Sequence, residues 1–138
     1  ILDYRNHIKE GSMLNTPPVF AVYVAMLTLR WLKAQGGVAA IETINDQKAA
    51  LLYSTLESIP FINLPVATAD RSKMNVVFTM DDPEKEALFM KMCKEQGFYG
   101  VKGHRSVGGF RMSLYNALSM SSVEVAVALL HDFAQKMG

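Results

Sequence analysis

Residues 19–31, VFAVYVAMLTLRW, are apolar around nearly the whole circumference of any helix they could form. Such a helix must be buried on most of its sides. Asn15-Thr16-Pro17-Pro18 precedes the stretch and Gly36-Gly37 follows it. This pattern predicts a helix with Thr16 as cap, Pro17 in the first position and a glycine stop. A chain of 138 residues has little else with which to cover it, so the stretch implies a larger body than these residues supply. It is not a membrane span: Thr28 and Arg30 interrupt it, and it falls short of the roughly 20 apolar residues a bilayer requires.

Half the residues are apolar and a fifth are charged, the balance of a folded globular protein of one compact domain, with or without an appendage. A net charge of +1 provides no field to attract nucleic acid or an anionic membrane. Cys93 is the single cysteine, so no internal disulfide can form. Its setting in a helical run reads as a buried thiol rather than a nucleophile and agrees with a reducing cytosol. The chain opens Ile1-Leu2-Asp3 with neither an initiator methionine nor a secretory pattern, which suggests a processed or trimmed chain of cytoplasmic origin.

Residues 1–14 read as polar and irregular. A second helix is predicted over 38–57, with Ile41, Ile44, Lys48 and Leu51/Leu52 on one row and Asn45, Asp46 and Gln47 facing outward. Residues 61–65 suit a short edge strand, limited by their prolines. Residues 75–80 form a better strand, with Val76 and Phe78 on one face. Asp82 can cap a helix that Pro83 opens and Gly97 ends. Residues 98–102 read as a short strand. Residues 110–117 alternate, with Phe110, Met112 and Leu114 opposite Arg111, Ser113 and Tyr115. Ser121 and Glu124 are spaced as a capping box for a last helix whose inner row is Val125, Ala128/Leu129 and Phe133. The order predicts an α+β fold: a small, mostly antiparallel sheet with helices packed on one face.

The chemistry concentrates late in the chain. From Gln96 to Val123 there is no acidic residue, yet the segment holds Lys102, His104, Arg105 and Arg111. Gly100, Gly103, Gly108 and Gly109 surround these cations and permit close backbone approach to a ligand. A guanidinium fork matches carboxylate and phosphate oxygens in two-bond geometry. Two arginines separated by a glycine pair could therefore hold two anionic groups of one small molecule. The alternative is a solvated basic turn with Arg111 in an ordinary salt bridge. Asn15-Thr16 before a helix could hold a phosphate, although composition alone favours simple capping. His7, His104 and His131 lack metal-ligand spacing, and no Walker loop, GxGxxG or acyl-transfer triad is present. All nine lysines read as lying in polar or helical surface contexts, so none is a candidate for Schiff-base formation.

Three strings carry a resemblance: SMLNTPP (12–18) before the apolar helix, RSKMNV (71–76), and GVKGHRSVGGFRMSLYNA (100–117). In this order and spacing the chain resembles the phosphoserine aminotransferases, fold-type-I enzymes dependent on pyridoxal 5'-phosphate (PLP), over its whole length. The family is much longer, and its N-terminal half has no counterpart here. The resemblance implies that residues 1–35 are the end of the large PLP-binding domain with its connecting helix, and that 36–138 are the small C-terminal domain. It implies that Asn15 and Thr16 bind the PLP phosphate across a homodimer interface. It also implies that Arg111 holds the substrate α-carboxylate, and that His104 and Arg105 help hold the substrate phosphate. The ligand expected is a phosphorylated amino acid or 2-oxo acid, with no metal, nucleic acid or membrane. The cofactor-bearing lysine would lie in the missing half, leaving no catalytic residue here. Rival readings are a stand-alone module that binds a small anionic metabolite, and a dimerisation domain whose basic turn is incidental.

Overall fold

The computed structural model describes residues 1–137, which divide into two compact units, Ile1–Val38 and the residues from Ala39 onward. The first unit contains two helices, α1 (Tyr4–Lys9) and α2 (Val19–Ala34). Helix α1 corrects the reading of residues 1–14 as irregular: the Asp3 carboxylate accepts from the Arg5 amide at 3.0 Å and caps it. Helix α2 starts two residues later than the pattern suggested, with Pro18 rather than Thr16 at its cap and no side-chain cap bond. Two successive prolines explain the delay, since a proline holds the residue before it extended. Gly36, at φ 96°, follows the end of α2 in the left-handed region, as the glycine stop implied. Neither helix buries a single residue.

The second unit has its own core. Helix α3 (Gly37–Glu57), whose first turn contains the unit boundary, is followed by β1 (Ile62–Asn63), a short 3-10 turn (Thr68–Asp70) and β2 (Asn75–Met80). Helix α4 (Pro83–Glu95), β3 (Phe110–Ser113) and α5 (Met120–Met137) complete it. The sheet is antiparallel throughout, in the order β1-β2-β3, with Asn75 opposite Ser113 and Val77 opposite Arg111. Val76, Phe78 and Met80 of β2 and Phe110 and Met112 of β3 point to the buried side, where the helices pack. Phe89 of α4 is the centre of that core: its ring lies 5.0 Å from Phe110 and 5.0 Å from Phe133 of α5, and Phe78 stacks on Phe110 at 5.1 Å. Asp82 caps α4 as expected, accepting from the Glu84 amide at 2.8 Å.

Local departures have local causes. Residues 98–102 do not form a strand; Lys102 alone makes a bridge, to Phe110, because Gly100 at φ 72° breaks the extended run. Strand β3 ends at Ser113 rather than at 117, since the Leu114 and Tyr115 carbonyls turn toward Lys48. Helix α5 is capped by Ser119, whose hydroxyl accepts from the Ser122 amide at 3.2 Å, so the Ser121–Glu124 capping box is not formed. That start sets the inner row to Val123, Ala126, Leu129, Leu130 and Phe133, leaving Val125 and Ala128 exposed. Asn45, expected outside, is buried on α3.

Candidate functional site

The segment between α4 and α5 wraps the free edge of β3. The Arg111 amide donates to the Val101 carbonyl at 2.8 Å and the Gly103 amide to the Gly109 carbonyl at 2.8 Å, closing residues 103–109 into a tight turn. Glycine is required at both ends of that turn. A Cβ on Gly103 would collide with the Gly108 carbonyl, and one on Gly109 with the Phe78 carbonyl and the Thr79 side chain. Beside the strand lies a concavity of about 660 Å³, bordered by Tyr99, Val101, Arg111, Ser113, Tyr115 and Val123 among others. Arg111 is therefore part of the groove wall, whereas His104 and Arg105 sit on the tip of the turn and do not line it.

All three of these side chains are exposed. Among the described residues Arg111 makes no ion pair, and neither does Arg105. The salt bridge invoked by the bland reading of Arg111 is thus absent. An exposed guanidinium in a segment free of acids keeps its full donor fork for an incoming anion. His104 is held more firmly: its Nδ1 lies 2.7 Å from the Ser106 hydroxyl and accepts from the Ser106 amide at 3.3 Å.

Asn15 and Thr16 lie apart in sequence and belong to the first unit, where both are exposed. Because Thr16 does not cap α2, neither side chain is used in a hydrogen bond within the described residues. Pro17 and Pro18, which carry no N–H, separate them from the first helical residue, Val19, whose amide already donates to the Pro17 carbonyl at 2.8 Å, so the donors on offer to a phosphate group are the Asn15 side-chain amide and the Thr16 hydroxyl. Both side chains carry donors that a phosphate such as that of PLP accepts from, and Asn15 borders a shallow concavity with Asn6, Lys9 and Glu10.

Two residues that shape the groove escaped the sequence reading. Lys48 is fully buried, contrary to its placement among surface lysines. Its Nζ donates to the carbonyls of Leu114, Tyr115 and Leu118 at 3.2, 3.0 and 3.1 Å. Desolvation lowers its pKa below the ordinary lysine value. With all three donors committed to the connection between β3 and α5, the amine is structural rather than a carrier of a carbonyl cofactor. One helical turn earlier, the Asn45 amide donates to the Asn116 Oδ1 at 2.9 Å. The signal was present in the sequence: Lys48 falls on the apolar row of α3, with Asn45 three residues before it. Cys93 is buried and its pKa is pushed up to about 11 by desolvation, which makes it an inert thiol. No group of metal-ligating side chains occurs among the described residues, and no helix is long and apolar enough to cross a membrane.

Comparison with known proteins places this geometry. Residues 2–125 match the model of the class-V aminotransferase family. The phosphoserine aminotransferase of Flavobacterium johnsoniae is 48% identical over 137 residues, covering 99% of this chain and 38% of its own. The solved structure of phosphoserine aminotransferase from Bacillus circulans subsp. alkalophilus superposes with a TM-score of 0.89 at 37% identity, over 98% of this chain and 38% of that one. The PLP-bound phosphoserine aminotransferase of Trichomonas vaginalis gives a TM-score of 0.81 at 36% identity, over 94% and 37% of the two chains. This chain thus spans well under half the length of the relatives it matches.

Proposed function

The chain belongs to the class-V aminotransferase family, and from that premise we propose that it is the C-terminal portion of a phosphoserine aminotransferase. The reaction is reversible, PLP-dependent transamination of 3-phosphohydroxypyruvate with glutamate, giving phosphoserine and 2-oxoglutarate in serine biosynthesis. Phosphohydroxythreonine of vitamin B6 synthesis is a further substrate of the same form. The observation that carries this reading is the pair of arginines without acidic partners, one in the β3 ladder and one on the glycine turn, in a segment free of acids.

Each residue has a separable part in binding. Arg111, fixed in the sheet through its amide, presents its fork to the α-carboxylate common to all four substrates. Arg105 and His104 take the phosphate that only two of them carry. Asn15 and Thr16 hold the phosphate of PLP, completing a site in the partner subunit of a cytoplasmic homodimer. PLP, when bound, supplies the electron sink for the α-carbon, and this chain fixes which bond at that carbon faces it. Anchoring a remote phosphate serves the reacting carbon by restricting the substrate's orientation. The lysine that anchors PLP lies outside these residues, so the 138 residues alone have no transaminase activity.

Charge-deleting variants of the full-length enzyme test this division. Arg111→Ala should lower kcat/KM about a hundredfold or more for glutamate and phosphoserine alike, the effect of losing two charge-assisted bonds. Arg105→Ala should penalise phosphoserine while leaving glutamate within about twofold. Equal penalties from Arg105→Ala on both substrates, or normal kinetics in Arg111→Ala, would refute the assignment.

A further inference from the structure

His104 is engaged on one side only. The Ser106 amide donates to its Nδ1 at 3.3 Å, and the Ser106 hydroxyl lies 2.7 Å from the same nitrogen. A backbone N–H can only donate, so Nδ1 must present a lone pair, which in a neutral imidazole places the proton on Nε2. At 3.3 Å that amide contact is long and weak, whereas the hydroxyl, free to donate to the same lone pair at 2.7 Å, is the stronger hold, so removing the hydroxyl leaves the tautomer only weakly biased. The remaining turn bonds hold the backbone around this arrangement: the Val107 and Gly108 amides both donate to the His104 carbonyl, at 2.9 and 2.8 Å. Nε2 has no partner in the turn, and the ring is exposed.

We propose that Ser106 is a positioning residue that holds His104 in its Nε2–H tautomer, so that the ring donates to a phosphate oxygen. This deepens the proposed function and rests on it, since it takes His104 as a phosphate contact. The chemistry requires the distinction. Phosphate oxygens accept hydrogen bonds, so the opposite tautomer would set a lone pair against the anion. With the tautomer fixed, His104 gives one directed neutral donor while Arg105 carries the charge. Ser106 acts through the ring and not on the substrate, as the second partner of a histidine does in other sites where tautomer matters.

The test uses full-length holoenzyme and the variants Ser106→Ala, Ser106→Thr and His104→Ala. Ser106→Ala should raise KM for 3-phosphohydroxypyruvate about three- to tenfold, the scale of one neutral hydrogen bond, with KM for glutamate unchanged. Ser106→Thr, which retains the hydroxyl, should restore it. Nitrogen-15 NMR of histidine-labelled holoenzyme, with the His104 signal assigned by its loss in His104→Ala, should show Nε2–H in the wild type. In Ser106→Ala the same signal should move toward a mixture of tautomers. That readout separates a positioning role from direct contact between Ser106 and substrate, which would leave the tautomer unmoved. A wild-type Nδ1–H tautomer, an unmoved signal, or equal rises in both KM values overturns the proposal. His104→Ala separates the two levels: if it leaves KM for the phosphorylated substrate unchanged, the reading of the site fails and the role of Ser106 falls with it. If it raises that KM while Ser106→Ala does not, the role of Ser106 alone fails.

Discussion

The two units use apolar residues in opposite ways. Residues 39–138 bury Phe78, Phe89, Phe110 and Phe133 in contact with one another, inside a core drawn from three helices and the inner face of a sheet. Helix α2 has only Arg30 and Lys33 as charged residues along its 16 positions, yet it buries none of them. Val19, Phe20, Val22, Tyr23 and Leu29 all stand open, Phe20 at 80% of its surface. Apolarity alone does not make a core; a facing surface must be available to displace water. A helix this apolar and this bare marks an interaction surface, and on the proposed assignment of residues 1–35 to the large domain, the rest of that domain is what would cover it.

This contrast can be broken at its strongest point first. Phe89→Ala removes the ring that joins Phe110 to Phe133 and should destabilise residues 39–138 by about 3–5 kcal/mol in denaturant unfolding. A loss below about 1 kcal/mol would show that the core is not organised around that ring.

Alkaline pH gives a smaller effect. The Cys93 pKa is raised to about 11 from an ordinary value near 9.0, so between these limits the unfolded chain releases a proton that the folded chain keeps. Stability is then fully present below pH 9.0 and falls as pH rises toward 11, by about 2–3 kcal/mol in all. Cys93→Ala should remove that slope, which chemical unfolding at a series of pH values would reveal as a difference from the wild type. The buried thiol should also react with Ellman's reagent only at the rate of unfolding.

The smallest effect sharpens the comparison most. Phe20→Asp should change the unfolding of residues 39–138 by no more than about 0.5 kcal/mol in the 138-residue chain, because that side chain is already in water. In full-length enzyme the same substitution should cost several times more. Equal effects in the two settings would mean that α2 has no covering surface to lose.

How much of the molecule was legible in advance varies by element. Strand β2 and helix α4 were readable because their signals are local: strict alternation in one, and an Asp-Pro start with a glycine end in the other. Helix α1 was missed because it is a single capped segment with no buried row. Residues 98–102 misled because Phe98, Tyr99 and Val101 suit a strand, while the φ of Gly100 depends on how the segment rounds the β3 edge. Arg111 could be identified as an outward residue from alternation. That it lines a groove while Arg105 stays on the turn tip could not, since both sit among the same glycines and cations.

The sequence by itself determined the family, the antiparallel α+β plan and the acid-free cationic segment, because motif order, hydrophobic period and charge are properties of neighbours along the chain. The tertiary structure alone decided the fate of Lys48 and Asn45. Whether an amine on an apolar row reaches solvent or three carbonyls some 70 residues away depends on how the β3–α5 connection returns over α3. The period along α3 places Lys48 on the inner row, but it says nothing of which groups receive the amine, since those acceptors are backbone atoms that every residue carries.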